Sequence, residues 1–104
     1  MSLPVEWAFD AIAGSGLTSN ARLVLLIVAD HADHADGSNA WPSIGRIAAY
    51  AGMHRSTVAA ALSELERDGL LVREGKGMRG VTRWRVPCVA EDDTSEDTGA
   101  TYAR

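Results

Sequence analysis

The sequence predicts an α+β fold in which several helices are followed by a β-hairpin. Apolar residues recur at the helical spacing through residues 43–69, and apolar and polar residues alternate through residues 81–86. Between these regions, residues 75–80 (GKGMRG) are rich in glycine, as in the turn of a hairpin. With 104 residues and 46% hydrophobic content, the chain can bury one modest core. We therefore expect one domain over residues 1–88, with a three-helix core, an extra N-terminal helix and the hairpin.

The extra N-terminal helix is expected over residues 5–12, although its periodicity is weak. Trp7, Phe9 and Ile12 are its expected core anchors. Glycines follow at positions 14 and 16 and should end the helix.

A longer helix is expected over residues 18–33, because Thr18 or Ser19 can cap its first turn. Its centre, LVLLIVA at residues 23–29, is apolar around the whole circumference. Such a helix should be enclosed, either by the rest of the fold or by a partner subunit. A turn is expected next, at residues 36–39 (DGSN), followed by a short strand at residues 40–41.

Residues 43–69 (SIGRIAAYAGMHRSTVAAALSELERDG) predict two short helices, 43–51 and 54–68, joined by a tight turn. Ser43 is a good N-cap for the first helix. Ala48 is small enough for the second helix to approach closely, and Gly52 accepts the positive φ of a turn that redirects the chain. Val58 should help to pack the second helix onto the core. This arrangement is a helix-turn-helix.

The second helix of this unit has two contrasting faces. One face forms an apolar stripe at helical spacing: Met53, Val58, Ala61, Leu62 and Leu65. The opposite face carries small or polar residues and one long cation: Arg55, Ser56, Ala59, Ala60 and Ser63. A helix that lies in the DNA major groove needs such a face, because bulk blocks its approach and a few side chains must reach base edges. We therefore expect DNA binding.

The predicted hairpin consists of a strand-like run at residues 70–74, the glycine-rich turn and residues 81–86. Thr82, Trp84 and Val86 should form its packed face, opposite a basic face with arginines at positions 83 and 85. We interpret Trp84, and also Trp41, as core residues rather than base-stacking platforms.

The net charge of −4 argues against a nucleic-acid partner at first, but the charges are unevenly distributed. Residues 1–42 and residues 89–104 each carry −4. Residues 43–88 carry +4, with eight cations: Arg46, Arg55, Arg67, Arg73, Lys76, Arg79, Arg83 and Arg85. The positive charge therefore coincides with the helix-turn-helix and the hairpin, as phosphate binding requires.

The order of helix, helix-turn-helix and basic, glycine-tipped hairpin resembles a winged-helix domain. The stretch WPSIGRIAAYAGMHRSTVAAALSELERDGLLVREGKG (41–77) is similar to the DNA-binding domains of GntR-type and MarR-type bacterial regulators. It is closer still to those of phage and plasmid replication or regulatory proteins, in the aromatic residue before ProSer, the pair Thr57–Val58 and the GLL at residues 69–71. It departs from the pattern at His54, where Ser or Asn is usual and caps better. No GntR-type effector domain is expected.

For base contacts, we select the residues that open the second helix or lie on its polar face: His54, Arg55, Ser56, Ala59 and Ala60. Arg55 is the first choice, because a bidentate contact from Arg to guanine is the commonest specific one. For the DNA backbone, we select hydroxyls and cations of the two helices and of the wing, as the hairpin is called: Ser43, Arg46, Thr57, Ser63, Arg73, Lys76, Arg79, Arg83 and Arg85.

Other chemistries find little support in the sequence. Asp30 and His34 would be neighbours on one helix face, but no further ligands complete a metal site, so neither a metal nor a cofactor is expected. Cys88, the single cysteine, is interpreted as an unreactive thiol at the edge of the last strand. The sequence shows no arrangement typical of a catalytic nucleophile or of a phosphate-binding loop, so we do not expect an enzyme. Neither a signal peptide nor a membrane span is predicted, and we expect a cytoplasmic protein associated with the nucleoid.

The expected function is sequence-specific binding of double-stranded DNA by a small transcriptional regulator of a bacterium, phage or plasmid. The alternative is an accessory protein of replication or partition that binds origin or centromere repeats. A third hypothesis, a winged helix that binds protein only, is disfavoured by the eight cations. We expect a homodimer whose interface is formed by the N-terminal segment and the helix over residues 18–33. Residues 89–104 are expected to be an acidic, disordered tail that recruits a protein partner or competes with DNA for the cations.

Overall fold

The computed structural model describes residues 2–89 and shows an α+β fold, as predicted. Helices α1 to α4 span Leu3–Ile12, Ser19–Asp30, Ile44–Ala51 and Arg55–Arg67, and strands β1 and β2 span Val72–Lys76 and Thr82–Arg85. The strands pair antiparallel after the last helix, which completes a winged helix-turn-helix. The predicted acidic tail lies, apart from Val89, outside the described residues.

The core forms around α2, which packs against all three other helices. The helices and the residues that flank the two strands contribute fully buried side chains, among them Val24, Leu25, Val28, Ile47, Val58, Leu65, Leu71 and Val86. The stripe predicted for α4 is confirmed, since Val58, Ala61, Leu62 and Leu65 are all buried and Met53 is half-buried. This packing fixes the orientation of α4 and therefore determines which of its faces is exposed to solvent.

Two predicted N-caps are confirmed by their hydrogen bonds. The hydroxyl of Thr18 accepts from the backbone N–H of Ala21 at the start of α2, at 3.2 Å. The hydroxyl of Ser43 accepts from the N–H of Arg46 at the start of α3, at 3.1 Å. Each bond satisfies one of the amides that the first turn of a helix leaves without a partner.

The long second helix is shorter than predicted. It ends at Asp30, because the next residues form turns in which Asp33 and Asp36 accept hydrogen bonds from amides two residues later. Asp30 and His34 therefore do not share a helix face, and the premise of the metal interpretation was wrong. The apolar centre is also not wholly enclosed by this chain, since Leu23 is 40% exposed.

Phe9 is not the core anchor that the sequence suggested, because it is 51% exposed. Helix α1 instead buries Pro4 and Ala8, while Trp7 and Ile12 pack against the core from its margin. The weak periodicity of this segment did not indicate which face of the helix is buried.

Strand β1 begins and ends two residues later than predicted, β2 is one residue shorter at each end, and their pairing contains a bulge. Arg73 pairs with Trp84 and Lys76 with Thr82, so β1 has one residue more than β2 between these pairs. Ala40 adds an isolated bridge to Trp84, which accounts for the short strand predicted there. Trp84 is buried, as predicted, but Trp41 is 41% exposed and does not belong to the core.

Candidate nucleic-acid interface

The turn between α3 and α4 has the geometry expected of a helix-turn-helix. Gly52 adopts a left-handed conformation with φ of +69°, and its N–H donates to the carbonyl of Ala48 at 2.9 Å. The N–H of Met53 donates to the same carbonyl at 3.2 Å. These bonds end α3 and redirect the chain, so α4 begins three residues after Gly52.

The polar face of α4 is open to solvent. The residues predicted for base contact are all exposed: His54, Arg55, Ser56, Ala59 and Ala60. Ser63 is exposed as well, whereas Thr57 is half-buried. His54 occupies the N-cap position but makes no side-chain cap bond, which confirms that it is a poor cap. Its imidazole is therefore not committed to the helix end.

A groove of about 470 Å³ runs between the start of α3, the polar face of α4 and the hairpin. We call it the reading groove. Seven of the residues predicted to contact DNA line it: Ser43, Arg55, Ala59, Ser63, Arg73, Lys76 and Arg79. Residues that are separated by up to 36 positions in the sequence thus meet at one concave surface.

The remaining predicted residues lie beside the reading groove or apart from it. Arg46 lines an adjacent shallow depression that also includes Arg55. His54 and Ser56 line a second depression at the turn between the two helices. Ala60 lines none of these surfaces.

Four of the eight cations are exposed and have no ion pair or side-chain hydrogen bond within residues 2–89: Arg46, Arg55, Lys76 and Arg79. Three of them line the reading groove and the fourth is its immediate neighbour. An exposed cation without a carboxylate partner keeps its full attraction for a phosphate. The positive charge available to a ligand is therefore concentrated at the groove.

Arg73 is held against the surface of the fold by several contacts. Its guanidinium donates to both carboxylate oxygens of Glu66 on α4, at 3.1 and 3.2 Å, and lies 4.8 Å from the ring centroid of Trp84. The bidentate bond lowers the pKa of Glu66 and raises that of Arg73. Arg73 thus ties the hairpin to α4.

Arg83 and Arg85 both contact Glu74 on β1. The Nη2 of Arg83 donates to the Glu74 carbonyl at 2.9 Å, and the Nε of Arg85 donates to its carboxylate at 2.8 Å. The predicted basic face of the hairpin is therefore partly neutralised within the fold. These two arginines remain predicted phosphate contacts, but both already have protein partners.

The role of Gly45 was not predicted from the sequence. A Cβ atom at this position would lie 2.9 Å from the Nη2 of Arg55, so glycine leaves room for this guanidinium against the first turn of α3. A glycine inside a predicted helix often marks the close approach of another group, and Gly45 gave this signal in the sequence.

Other chemistry finds no site in the described residues. No group of three His, Cys, Asp or Glu side chains between residues 2 and 89 is placed to hold a metal ion. Cys88 is half-buried, and its burial raises the pKa of the thiol, which disfavours the reactive thiolate. Over the same residues, no helix has the length and apolar character needed to cross a membrane.

Comparison with known proteins gives one match. No curated protein and no solved structure matches the chain. A protein-family model described as a helix-turn-helix domain matches residues 15–71, more than half of the chain, from the start of α2 to the beginning of the hairpin. The match does not bear on the resemblance to GntR-type and MarR-type regulators, which stays a prediction. It indicates a DNA-binding role. The chain belongs to the helix-turn-helix domain family.

Proposed function

We propose that this protein binds specific sequences of double-stranded DNA, with α4 in the major groove and the wing on the backbone or the adjacent minor groove. One observation carries the proposal: the exposed cations without protein partners surround the groove that the polar face of α4 also lines. A concave surface with such charge attracts a polyanion, and the small residues of α4 allow its bases to approach.

In this proposal, Arg55 makes the principal base contact. It lies at the first position of α4, and recognition helices read base edges with their N-terminal residues. His54 and Ser56 flank it and supply further hydrogen-bonding groups. Ala59 and Ala60 leave space for the DNA, and their methyl groups suit contact with a thymine methyl.

Backbone contacts are assigned according to exposure and to existing partners. Arg46, Lys76 and Arg79 are the proposed phosphate contacts, together with the hydroxyls of Ser43, Thr57 and Ser63. Ser43 uses an oxygen lone pair for its cap, so its hydroxyl hydrogen remains free to donate to a phosphate. The arginines at positions 73, 83 and 85 contribute chiefly by holding the wing.

We further propose that two copies bind together on an inverted repeat, as a small transcriptional regulator would. The expected interface consists of α1 and α2, because both present exposed apolar side chains: Leu3, Phe9 and Leu23. Residues 1–88 form the DNA-binding domain in this view. Sedimentation at tens of micromolar tests the dimer, which a monomer that retains full affinity for its site would contradict.

The test of sequence-specific binding is a selection of bound duplexes from a random library. The wild type should enrich one sequence, and Arg55→Ala should lose its preference at one base pair, for which discrimination is worth about 1–3 kcal/mol. Arg67→Ala is the matched control, because Arg67 is an exposed arginine of the same helix that does not line the reading groove. Failure to enrich any sequence would contradict the proposal, as would equal effects of the two substitutions.

The location of the selected sequence then decides the biological role. A regulator requires sites in promoters, whereas an accessory protein of replication or partition requires arrays of repeats at an origin or centromere. Sites confined to such arrays would replace the regulatory role by the replicative one, without changing the assignment of the interface.

A further inference from the structure

Trp41 lies outside the core and packs on the wing. Its indole covers the backbone of Gly77, and the three atoms nearest to a Cβ built at Gly77 all belong to the Trp41 ring, which such a Cβ would overlap. Gly77 is not in the left-handed region, so its own backbone would accept an alanine. Glycine is required at position 77 because of the ring of Trp41.

Trp41 is itself held at a fixed place in the fold. The preceding residue, Ala40, exchanges two backbone hydrogen bonds with Trp84, at 2.8 and 2.9 Å. Two residues after Trp41, Ser43 caps α3. The indole is therefore attached to a segment that is anchored on both sides, to the sheet and to the helix-turn-helix.

A second contact connects Trp41 with the bulge of the hairpin. The guanidinium of Arg83 lies 5.9 Å from the Trp41 ring centroid and donates through Nη2 to the carbonyl of Glu74. This carbonyl belongs to the bulge between Arg73 and Lys76, where the regular ladder is interrupted. Arg83, packed on Trp41, supplies the carbonyl with a partner.

The bulge determines where the wing points. An extra residue on one strand bends that strand and redirects the side chains that follow it. Here the residue that follows is Lys76, and Arg79 comes next in the turn at Met78–Gly80. Both are exposed cations of the reading groove. A hairpin of two strands is only marginally stable by itself, so its direction depends on contacts from outside.

We propose that Trp41 is a positioning residue, which braces the wing at Gly77 and at the Glu74 bulge so that Lys76 and Arg79 face the phosphates of bound duplex DNA. The inference rests on the proposed function, because it names the residue that sets the wing for that interface. Trp41 does not itself contact the DNA in this account.

The test is a double-mutant cycle on Trp41→Ala and Gly77→Ala, with the affinity for a duplex selected by the wild type as the readout. Each single substitution should weaken binding by about tenfold or more, because two phosphate contacts are lost. When Gly77→Ala is added to Trp41→Ala, it should weaken duplex binding by less than about twofold further, because the ring with which its Cβ would collide is absent. Trp41→Phe should retain most of the affinity, because a smaller ring still covers Gly77.

The salt dependence of duplex binding distinguishes a positioning role of Trp41 from a contribution to stability alone. The slope of log affinity against log salt should become shallower by about 2 in Trp41→Ala, as expected for two lost phosphate contacts, while the thermal midpoint stays close to that of the wild type. Additive losses in the cycle would overturn the inference. So would an unchanged slope in a folded Trp41→Ala, which would assign any loss of affinity to stacking by the indole instead.

A readout without DNA separates this inference from the proposed function. The amide of Gly77 donates to the carbonyl of Val81 across the wing, at 2.7 Å, and Trp41→Ala should accelerate its hydrogen exchange. The amide of Val58 inside α4 should be unaffected. If the wild type bound no duplex but this acceleration were seen, the proposed function would fail and the brace would stand. Unchanged exchange at Gly77 would overturn the brace whether or not DNA binds.

Discussion

Glu64, near the C-terminal end of α4, accepts two hydrogen bonds from Thr18, one from the backbone N–H at 3.0 Å and one from the hydroxyl at 2.9 Å. The two residues are 46 positions apart in the sequence. The same hydroxyl accepts from the amide of Ala21 and so caps α2. One threonine therefore begins the central helix, α2, and fixes α4 against it.

This relationship predicts that the protein loses stability in acid. The hydrogen bonds from Thr18 lower the pKa of Glu64 below its usual 4.5 in the folded state, and Arg73 lowers that of Glu66. A lowered folded-state pKa stabilises the fold above the unfolded value, and this contribution disappears as the pH falls through 4.5 towards the folded value. Urea midpoints measured between pH 7 and pH 3 should therefore decrease.

Glu64→Gln identifies the share of Glu64 in this decrease. The variant should be less stable than the wild type at pH 7 and should lose less stability on acidification, because the titrating carboxylate is gone. Asp10→Asn is the control, since this exposed carboxylate on α1 has no side-chain partner within residues 2–89. If Glu64→Gln and the wild type showed parallel pH profiles, the role of Glu64 would be refuted.

Gly52→Ala should destabilise the protein by about 1–2 kcal/mol, the cost of a left-handed conformation for a residue with a side chain. No atom lies within 4 Å of a Cβ built at this position, so the cost comes from the backbone alone. Gly16→Ala provides a matched control, because its Cβ also meets open space and its φ is not positive. Thermal unfolding should separate the two variants, and equal midpoints would contradict the turn geometry.

His54→Ser should stabilise α4, since the N-cap position there lacks a side-chain bond to the first turn. A serine that accepts from the first turn is worth about 1 kcal/mol. Ser43→Ala should change stability by a similar amount in the opposite direction, because it removes the existing cap of α3. Denaturant midpoints measure the stability of both variants. An unchanged midpoint in His54→Ser would contradict the expectation that α4 lacks an effective cap.

Arg73→Ala should reduce stability without changing the number of phosphates that the protein contacts. Its bonds to Glu66 and its position over Trp84 connect the hairpin with α4, although half of the Arg73 side chain is exposed and water screens the pair. A double-mutant cycle with Glu66→Gln should give a coupling of about 0.2–1 kcal/mol. A salt slope shallower by about 1 in Arg73→Ala would instead support the phosphate contact that the sequence suggested.

Local signals in the sequence were sufficient for most of the fold. The apolar stripe of α4, the caps at Thr18 and Ser43, and the glycine at position 52 each depend on a few neighbouring residues, and the structure confirms all of them. Helix α2 ended early because Asp33 and Asp36 form turns with nearby amides, a competition that periodicity alone does not reveal.

The residues of the candidate site could be predicted from the sequence, but which of its cations already have partners within the protein could not. Arg55 and Arg79 lie at the reading groove, as their places in the motif suggested. Whether an arginine is free or bound depends on contacts between distant residues, such as Arg73 with Glu66 and Arg83 with the Glu74 carbonyl. Trp41 was misplaced for the same reason, because its partner Gly77 lies across the wing.

The most direct test of the central claim measures the salt dependence of duplex binding for single alanine variants of the free cations. Three phosphate contacts, from Arg46, Lys76 and Arg79, predict a slope of about −3 for each protein chain. Each substitution among these three should make the slope shallower by about 1, whereas Arg55→Ala, which removes the proposed base contact, and Arg67→Ala should leave it nearly unchanged. A slope that responds equally to Arg67→Ala, or to none of the three, would contradict the assignment of the reading groove as the DNA interface.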